Sequence, residues 1–174
     1  MLLKWIRCAV GDPARFDRGQ TAWAGLHGFP GFLGQRGGWD LRHPRVAHIF
    51  GQWADPASYQ AFMSGPHDVL AARQTGTFDA IEVRLYDVLQ AVGHSLERVT
   101  GQQMLQVVRR PVPHVTDIEV SVRAPGFQGG LLAQREAHEF VVLTQWETAR
   151  AYPKLVERAD QIGLEATWYV PPTT

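Results

Sequence analysis

The residues of this chain best placed to do chemistry fall on two helical stripes. Gln20, Trp23 and His27 recur at helical spacing between Asp12-Pro13 and Gly28, beside Phe16, Gly19 and Leu26. Phe62, Met63 and His67 recur in the same way after Asp55-Pro56, beside Tyr59, Pro66 and Leu70. A mostly apolar stripe faces a core, so the spacing points Gln20, His27 and His67 inward among Trp23, Phe62 and Met63. An apolar pocket with a few convergent polar groups is the usual form of a small-molecule site. A neutral imidazole at His67 can take or deliver a proton. Gln20 and His27 can orient a ligand, and the Trp23 indole can stack on it. Leaving such a polar group buried without a partner costs about 1–3 kcal/mol. Either a ligand satisfies these groups or, on a purely structural reading, backbone carbonyls and ordered water do.

The elements that must hold these residues follow from local signals. Leu2 to Val10 reads as a strand. Asp12 caps a helix that Pro13 opens and Gly28 ends. Gly31 to Trp39 is a glycine-rich strand, expected to be bulged, and forms a hairpin with Val46 to Trp53. Asp55-Pro56 starts a second helix, to about Gln74, kinked at Gly65-Pro66. Phe78 to Leu89 is a fourth strand. The order strand, helix, strand, strand, helix, strand is the ferredoxin-like pattern.

That pattern then repeats. Leu3-Lys4-Trp5-Ile6-Arg7 is echoed by Leu105-Gln106-Val107-Val108-Arg109, Pro30-Gly31-Phe32 by Pro125-Gly126-Phe127, and Gln52-Trp53 by Gln145-Trp146. Tyr59 and Tyr86 are echoed by Tyr152 and Tyr169. The second copy predicts strands at Met104–Arg110, Phe127–Arg135, His138–Trp146 and Leu164–Val170, with helices around Thr116–Arg123 and Thr148–Gln161. The expected fold is α+β: tandem ferredoxin-like units, 1–91 and 103–174 around a 92–102 connector, their sheets packed face to face as a single-chain pseudo-dimeric barrel. Gln52 and Gln145 match in phase and are expected to bond to each other across its interior.

Bulk composition narrows the classes. The 174 residues carry 17 basic and 17 acidic side chains, with no basic stripe, so a nucleic-acid partner is not expected. No apolar run reaches the ~20 residues of a bilayer span. Cys8 is the single cysteine, which excludes an internal disulfide and fits the cytoplasm. It is expected to be buried and inert. The seven histidines lack paired metal spacing, so no metal site is expected. The glycines from Gly31 to Gly38 lack the ending of a phosphate loop. His67 and Asp68 are neighbours on a helix and are not expected to face each other.

Trp53-Ala54-Asp55-Pro56-Ala57-Ser58-Tyr59, Phe62 and Ser64-Gly65-Pro66-His67 resemble the antibiotic-biosynthesis-monooxygenase-like domains of the dimeric α+β barrel superfamily. Lys4-Trp5-Ile6-Arg7, Gly19-Gln20, Trp23, Gly31-Phe32, Gly34-Gln35, Gly37-Gly38-Trp39, Phe62-Met63 and His67-Asp68 also resemble the YdbC-like proteins, a group of unknown function. The resemblance implies the barrel fold and an oxygenase, either cofactor-independent or haem-linked, with His67 as proton shuttle or axial haem ligand. It departs from that pattern at Phe62, where relatives often carry a histidine. The competing expectations are a non-catalytic binding protein for a small apolar molecule and an inert chain whose pocket is filled by its own side chains. A monomer is expected if the internal pair replaces a homodimer, and a homodimer if exposed edges pair.

Overall fold

A computed structural model describes residues 1–93, 103–113, 118, 121–148 and 159–172 of the chain. Strand β1 (Leu2–Ala9) leads to helix α1 (Pro13–Gln20), which tightens into a 3-10 turn over Thr21–Leu26. The hairpin β2 (Phe32–Asp40) and β3 (Val46–Trp53) follows, then α2 (Pro56–Met63), α3 (His67–Ala72) and β4 (Ala80–Gly93). The second half contributes β5 (Met104–Arg110), β6 (Phe127–Glu136), β7 (Glu139–Trp146) and β8 (Asp160–Leu164), with a 3-10 turn at Ala166–Trp168. Both expected caps are present. The Asp12 carboxylate accepts from the Arg15 amide at 3.0 Å, and that of Asp55 from the Ser58 amide at 2.7 Å, each with proline in the first turn.

The eight strands close into one antiparallel barrel in the order β1-β3-β2-β8-β5-β7-β6-β4. Read around the ring, β4-β1-β3-β2 is followed by β8-β5-β7-β6, so the second four strands repeat the order of the first. Each β2-type edge meets the last strand of the other set: β2 pairs with β8, and β6 with β4. The echoed motifs occupy matching places. Gly31 and Gly126 both take positive φ, +76° and +79°, and their carbonyls accept from Ala54 and Glu147, each at 2.8 Å. A bulge follows each, and Phe32 and Phe127 pack edge-on against Trp53 and Trp146.

The barrel is filled by a cluster from both strand sets, including Leu3, Trp5, Phe50, Tyr86, Leu105, Leu131, Leu143 and Ile162. A second cluster lies outside the sheet, where Trp23, Leu26, Tyr59, Phe62 and Leu70 cover Leu2, Phe32 and Trp53. Strands β1, β2 and β3 are therefore covered on both faces, while the outer face of β4 stays largely exposed.

The expected elements shift in two places. The helix expected to reach Gln161 cannot do so, because β8 begins at Asp160; residues 149–158 lie outside the described residues. The strand expected over Leu164–Val170 ends at Leu164, and only Val170 rejoins the sheet, through paired 2.9 Å bonds with Gln35. The cause is Trp168. Its Nε1 donates to Asp17 on α1 at 2.6 Å and its ring packs on Phe16 and Trp39, which draws the chain off the sheet. Of the helix expected around Thr116–Arg123, Ile118, Ser121 and Val122 are helical, and 114–117 and 119–120 are outside the described residues, as is most of the connector, 94–102.

Candidate functional site

The outward face of the N-terminal strands and the helices above it do not close on each other. Between them lies a cavity of about 440 Å³, walled by β1 to β4 on one side and by α1, the 3-10 turn, α2 and α3 on the other. Its size falls in the range of small-molecule sites. Ile81 and Val83 of β4 line it yet stay half-exposed, so the cavity opens along that strand.

Gln20, Trp23, Phe62, Met63 and His67 all line this space. His27 does not. It sits at the end of the 3-10 turn, and the tightening from α-helix to 3-10 geometry after Gln20 rotates it out of the stripe to an exposed position. Three lining polar residues escaped the sequence pattern: Lys4 on β1, Gln35 on β2 and Gln74 beyond α3. Lys4 shares its strand face with Ile6 and Cys8, which also line the cavity. A lysine in phase with two covered apolar residues is the signal that could have found it.

The polar atoms are arranged in a specific way. The Trp23 Nε1–H donates to Gln74 Oε1 at 2.7 Å. An indole N–H can only donate, so this bond fixes the Gln74 amide with its nitrogen turned the other way. That nitrogen, Gln35 Nε2 and Gln20 Oε1 are buried without a hydrogen-bond partner. Buried amides are nearly always satisfied in folded proteins. Lys4 is 8% exposed, and its Nζ lies 5.3 Å from the centre of the Tyr59 ring. Burial pushes its amine down to about 8. Cys8 is buried as expected, and burial pushes its thiol up to about 12, which leaves it unreactive.

His67 closes one side. Its ring lies 5.5 Å from Phe62, edge-on, and 6.2 Å from Trp23. Contrary to expectation, His67 and Asp68 do meet: Nδ1 and Oδ1 are 2.8 Å apart. The chain breaks at Ser64-Gly65-Pro66 and His67 opens a new helix, so the spacing rule for a helix interior does not apply. The carboxylate holds one ring nitrogen and leaves Nε2 open.

Among the described residues, the space found inside the barrel is far smaller. Its void is about 10 Å³, room for one water, between Arg36, Gln52 and Gln145. Gln52 and Gln145 both line it, but they do not bond to each other. Gln145 Nε2 donates to Gln128 at 3.1 Å, and the Oε1 atoms of Gln52 and Gln145 have no partner. His48, also inside, accepts from Trp5 Nε1 at 3.1 Å and lies 3.4 Å from Asp40, too long and poorly aligned for a good hydrogen bond. Burial holds its imidazole well below the usual range, hence neutral. Among the described residues no group of three or more His, Cys, Asp or Glu could hold a metal ion, and no helix is long and apolar enough to cross a membrane.

Known proteins share both architecture and sequence with this chain. A protein of Fusobacterium nucleatum subsp. nucleatum, provisionally named a monooxygenase, matches with a TM-score of 0.73 at 11% identity, over 98% of this chain and 94% of its own. One from Lactobacillus acidophilus NCFM, named in the same way, matches at 0.70 and 11% identity, over 99% and 96%. An anthrone oxidase-like protein matches at 0.58 and 12% identity, over 94% and 91%. At such identities the likeness is one of fold. In sequence, the domain of unknown function DUF4937 matches residues 2–86, which carry all the cavity-lining residues. The uncharacterized protein YdbC of Bacillus subtilis (strain 168) is 30% identical over 102 residues, 55% of this chain and 86% of YdbC. The chain shares the fold of these structures, and by its sequence it belongs to the YdbC-like family.

Proposed function

We propose that the chain is a small-molecule oxygenase that uses the cavity above its N-terminal sheet. The observation that carries the small-molecule part is the set of unpartnered amide atoms on Gln20, Gln35 and Gln74 around an otherwise apolar space. Each costs about 1–3 kcal/mol while unsatisfied, and a ligand with matching groups would recover it. The oxygenase part is supported by the provisional monooxygenases of the same fold. Residues 1–91, which carry all the cavity-lining residues, would be the working unit, and 103–174 would complete the barrel beneath it.

In the cofactor-independent form, His67 Nε2 would take a proton from the bound molecule, leaving a carbanion electron-rich enough to react with dioxygen. Asp68 would hold the ring and steady the charge it gains. Trp23, locked by Gln74, would stack on the ligand, and the amides would orient its oxygens. In the haem-linked form, His67 would hold the group through its open Nε2, and haem would supply the electron-transfer chemistry.

A non-catalytic binding protein for a small apolar molecule is the second reading. It is favoured by one feature: the deepest polar groups are amides, which orient but do not move protons. Dioxygen uptake with anthrone, the compound class that one neighbour's name suggests, separates the two. The oxygenase reading expects anthrone-dependent uptake above the spontaneous rate, reduced tenfold or more in His67→Ala. Quenching of tryptophan fluorescence by anthrone without any uptake would leave the binding protein. A Soret shift on adding hemin that vanishes in His67→Ala would select the haem-linked form.

A further inference from the structure

We infer that the cavity takes an anionic ligand: a flat, largely apolar molecule with one carboxylate or comparable acidic oxygen group seated on the Lys4 ammonium. This rests on the reading of the cavity as a small-molecule site and adds the charge of its occupant.

Among the described residues, Lys4 has no anionic partner. Its side chain leaves β1 on the face that the helices cover, and only 8% of the residue reaches solvent. No aspartate or glutamate is among the described residues that line the cavity. Asp68, the acidic residue of α3, is 93% exposed and engaged with His67. The ammonium lies 5.3 Å from the centre of the Tyr59 ring, a cation–π contact. A buried charge without a counter-charge costs several kcal/mol, and truncating it or pairing it relieves that cost.

Two of the three unpartnered amide atoms point the same way, the third, Gln20 Oε1, being an acceptor. The Gln74 nitrogen is a donor, because Trp23 occupies its oxygen. Gln35 Nε2 is a second unmatched nitrogen. With Lys4, the cavity holds an excess of hydrogen-bond donors over acceptors, and a ligand rich in acceptor oxygens completes it. The walls define the rest of that ligand. Trp23, Trp53, Phe62 and Phe32 are flat and apolar, and suit an aromatic or polycyclic body. The depressed Lys4 amine is consistent with this, since it stays mostly protonated at neutral pH and an anion would stabilise that form.

The test uses 2-naphthoate and its neutral isostere 2-naphthamide, titrated into the full chain at pH 7 by calorimetry and tryptophan quenching. The expected result is at least tenfold tighter binding of the naphthoate. In Lys4→Met that preference falls to about one while naphthamide affinity stays within twofold. A second arm needs no variant. The titratable groups that share the cavity with Lys4 are Tyr59 on α2, Cys8 on β1 and His67 on α3. Cys8 titrates only at about 12 and burial raises Tyr59 further above its usual range. Above about pH 9, naphthoate affinity of the unmodified chain therefore falls about tenfold per unit, and naphthamide affinity does not. Equal affinities for the two probes, or a preference that survives Lys4→Met, would overturn the charge assignment alone, as for a lysine that merely extends to solvent. Binding of neither probe would overturn the small-molecule reading beneath it.

Discussion

Lys4 is the side chain whose environment differs most from what its type requires. In the unfolded chain its amine has the ordinary value of 10.5, and in the fold burial lowers it to about 8. Between those values the unfolded chain holds a proton that the folded chain has released, so stability rises with pH across that window and is flat below it. The full difference is worth about 3 kcal/mol. Thermal unfolding in the absence of ligand should show Tm climbing between pH 8 and 10. Lys4→Met should raise Tm at pH 7 and abolish the climb; a lower Tm for that variant at pH 7 would mean that the ammonium is well accommodated as it stands. Gln20, Trp23, Phe62, Met63 and His67 were legible because helix periodicity marks an inward face. Lys4 and Gln35 lie on strands covered on both faces, one by the barrel core and one by helices, so alternation alone did not mark them; only the phase of Lys4 with Ile6 and Cys8 carried a signal.

At the scale of elements, the starts of α1 and α2 were legible to the residue, since Asp-Pro fixes both a cap and the first helical φ, whereas the new start at His67 was expected only as a kink. The exits were not, because they depend on tertiary partners: Trp168 on Asp17 ends the last strand early, and the 3-10 turn swings His27 away. The strand hairpins were found, but the seam that closes the ring is set by close backbone contact that no pattern of apolar residues encodes. At β2–β8, Gly38 faces Leu164, and a Cβ there would overlap the Gly163 carbonyl oxygen. Gly38→Ala should therefore cost about 3 kcal/mol by chemical denaturation. Gly51→Ala, one strand away, should cost under about 1 kcal/mol, as its nearest neighbour is Trp53 Nε1 at 3.8 Å. Similar costs for both would show that the β2–β8 seam is looser than described.

Across the whole molecule, two four-stranded sets share one core, and the second seam ties them electrostatically as well. Glu139 of β7 accepts from Arg84 at 2.9 Å and from the Tyr86 hydroxyl at 3.0 Å, both on β4, and pairs with Arg135 at 3.1 Å. This construction makes the N-terminal sheet the floor of the cavity, with α1, the 3-10 turn, α2 and α3 as its roof. The α+β barrel was legible in the order of strand and helix signals, and the Pro-Gly-Phe and Gln-Trp pairs hold equivalent turns and strand ends in both halves. The ligand was not, since no residue pattern names the molecule that would fill 440 Å³. The most direct measurement is a crystal structure of the chain grown with 2-naphthoate. The ring should lie between Trp23 and the β-sheet floor, with its carboxylate within hydrogen-bonding distance of Lys4 Nζ and a glutamine amide. A cavity collapsed onto its own side chains, with the probe elsewhere or absent, would contradict the account.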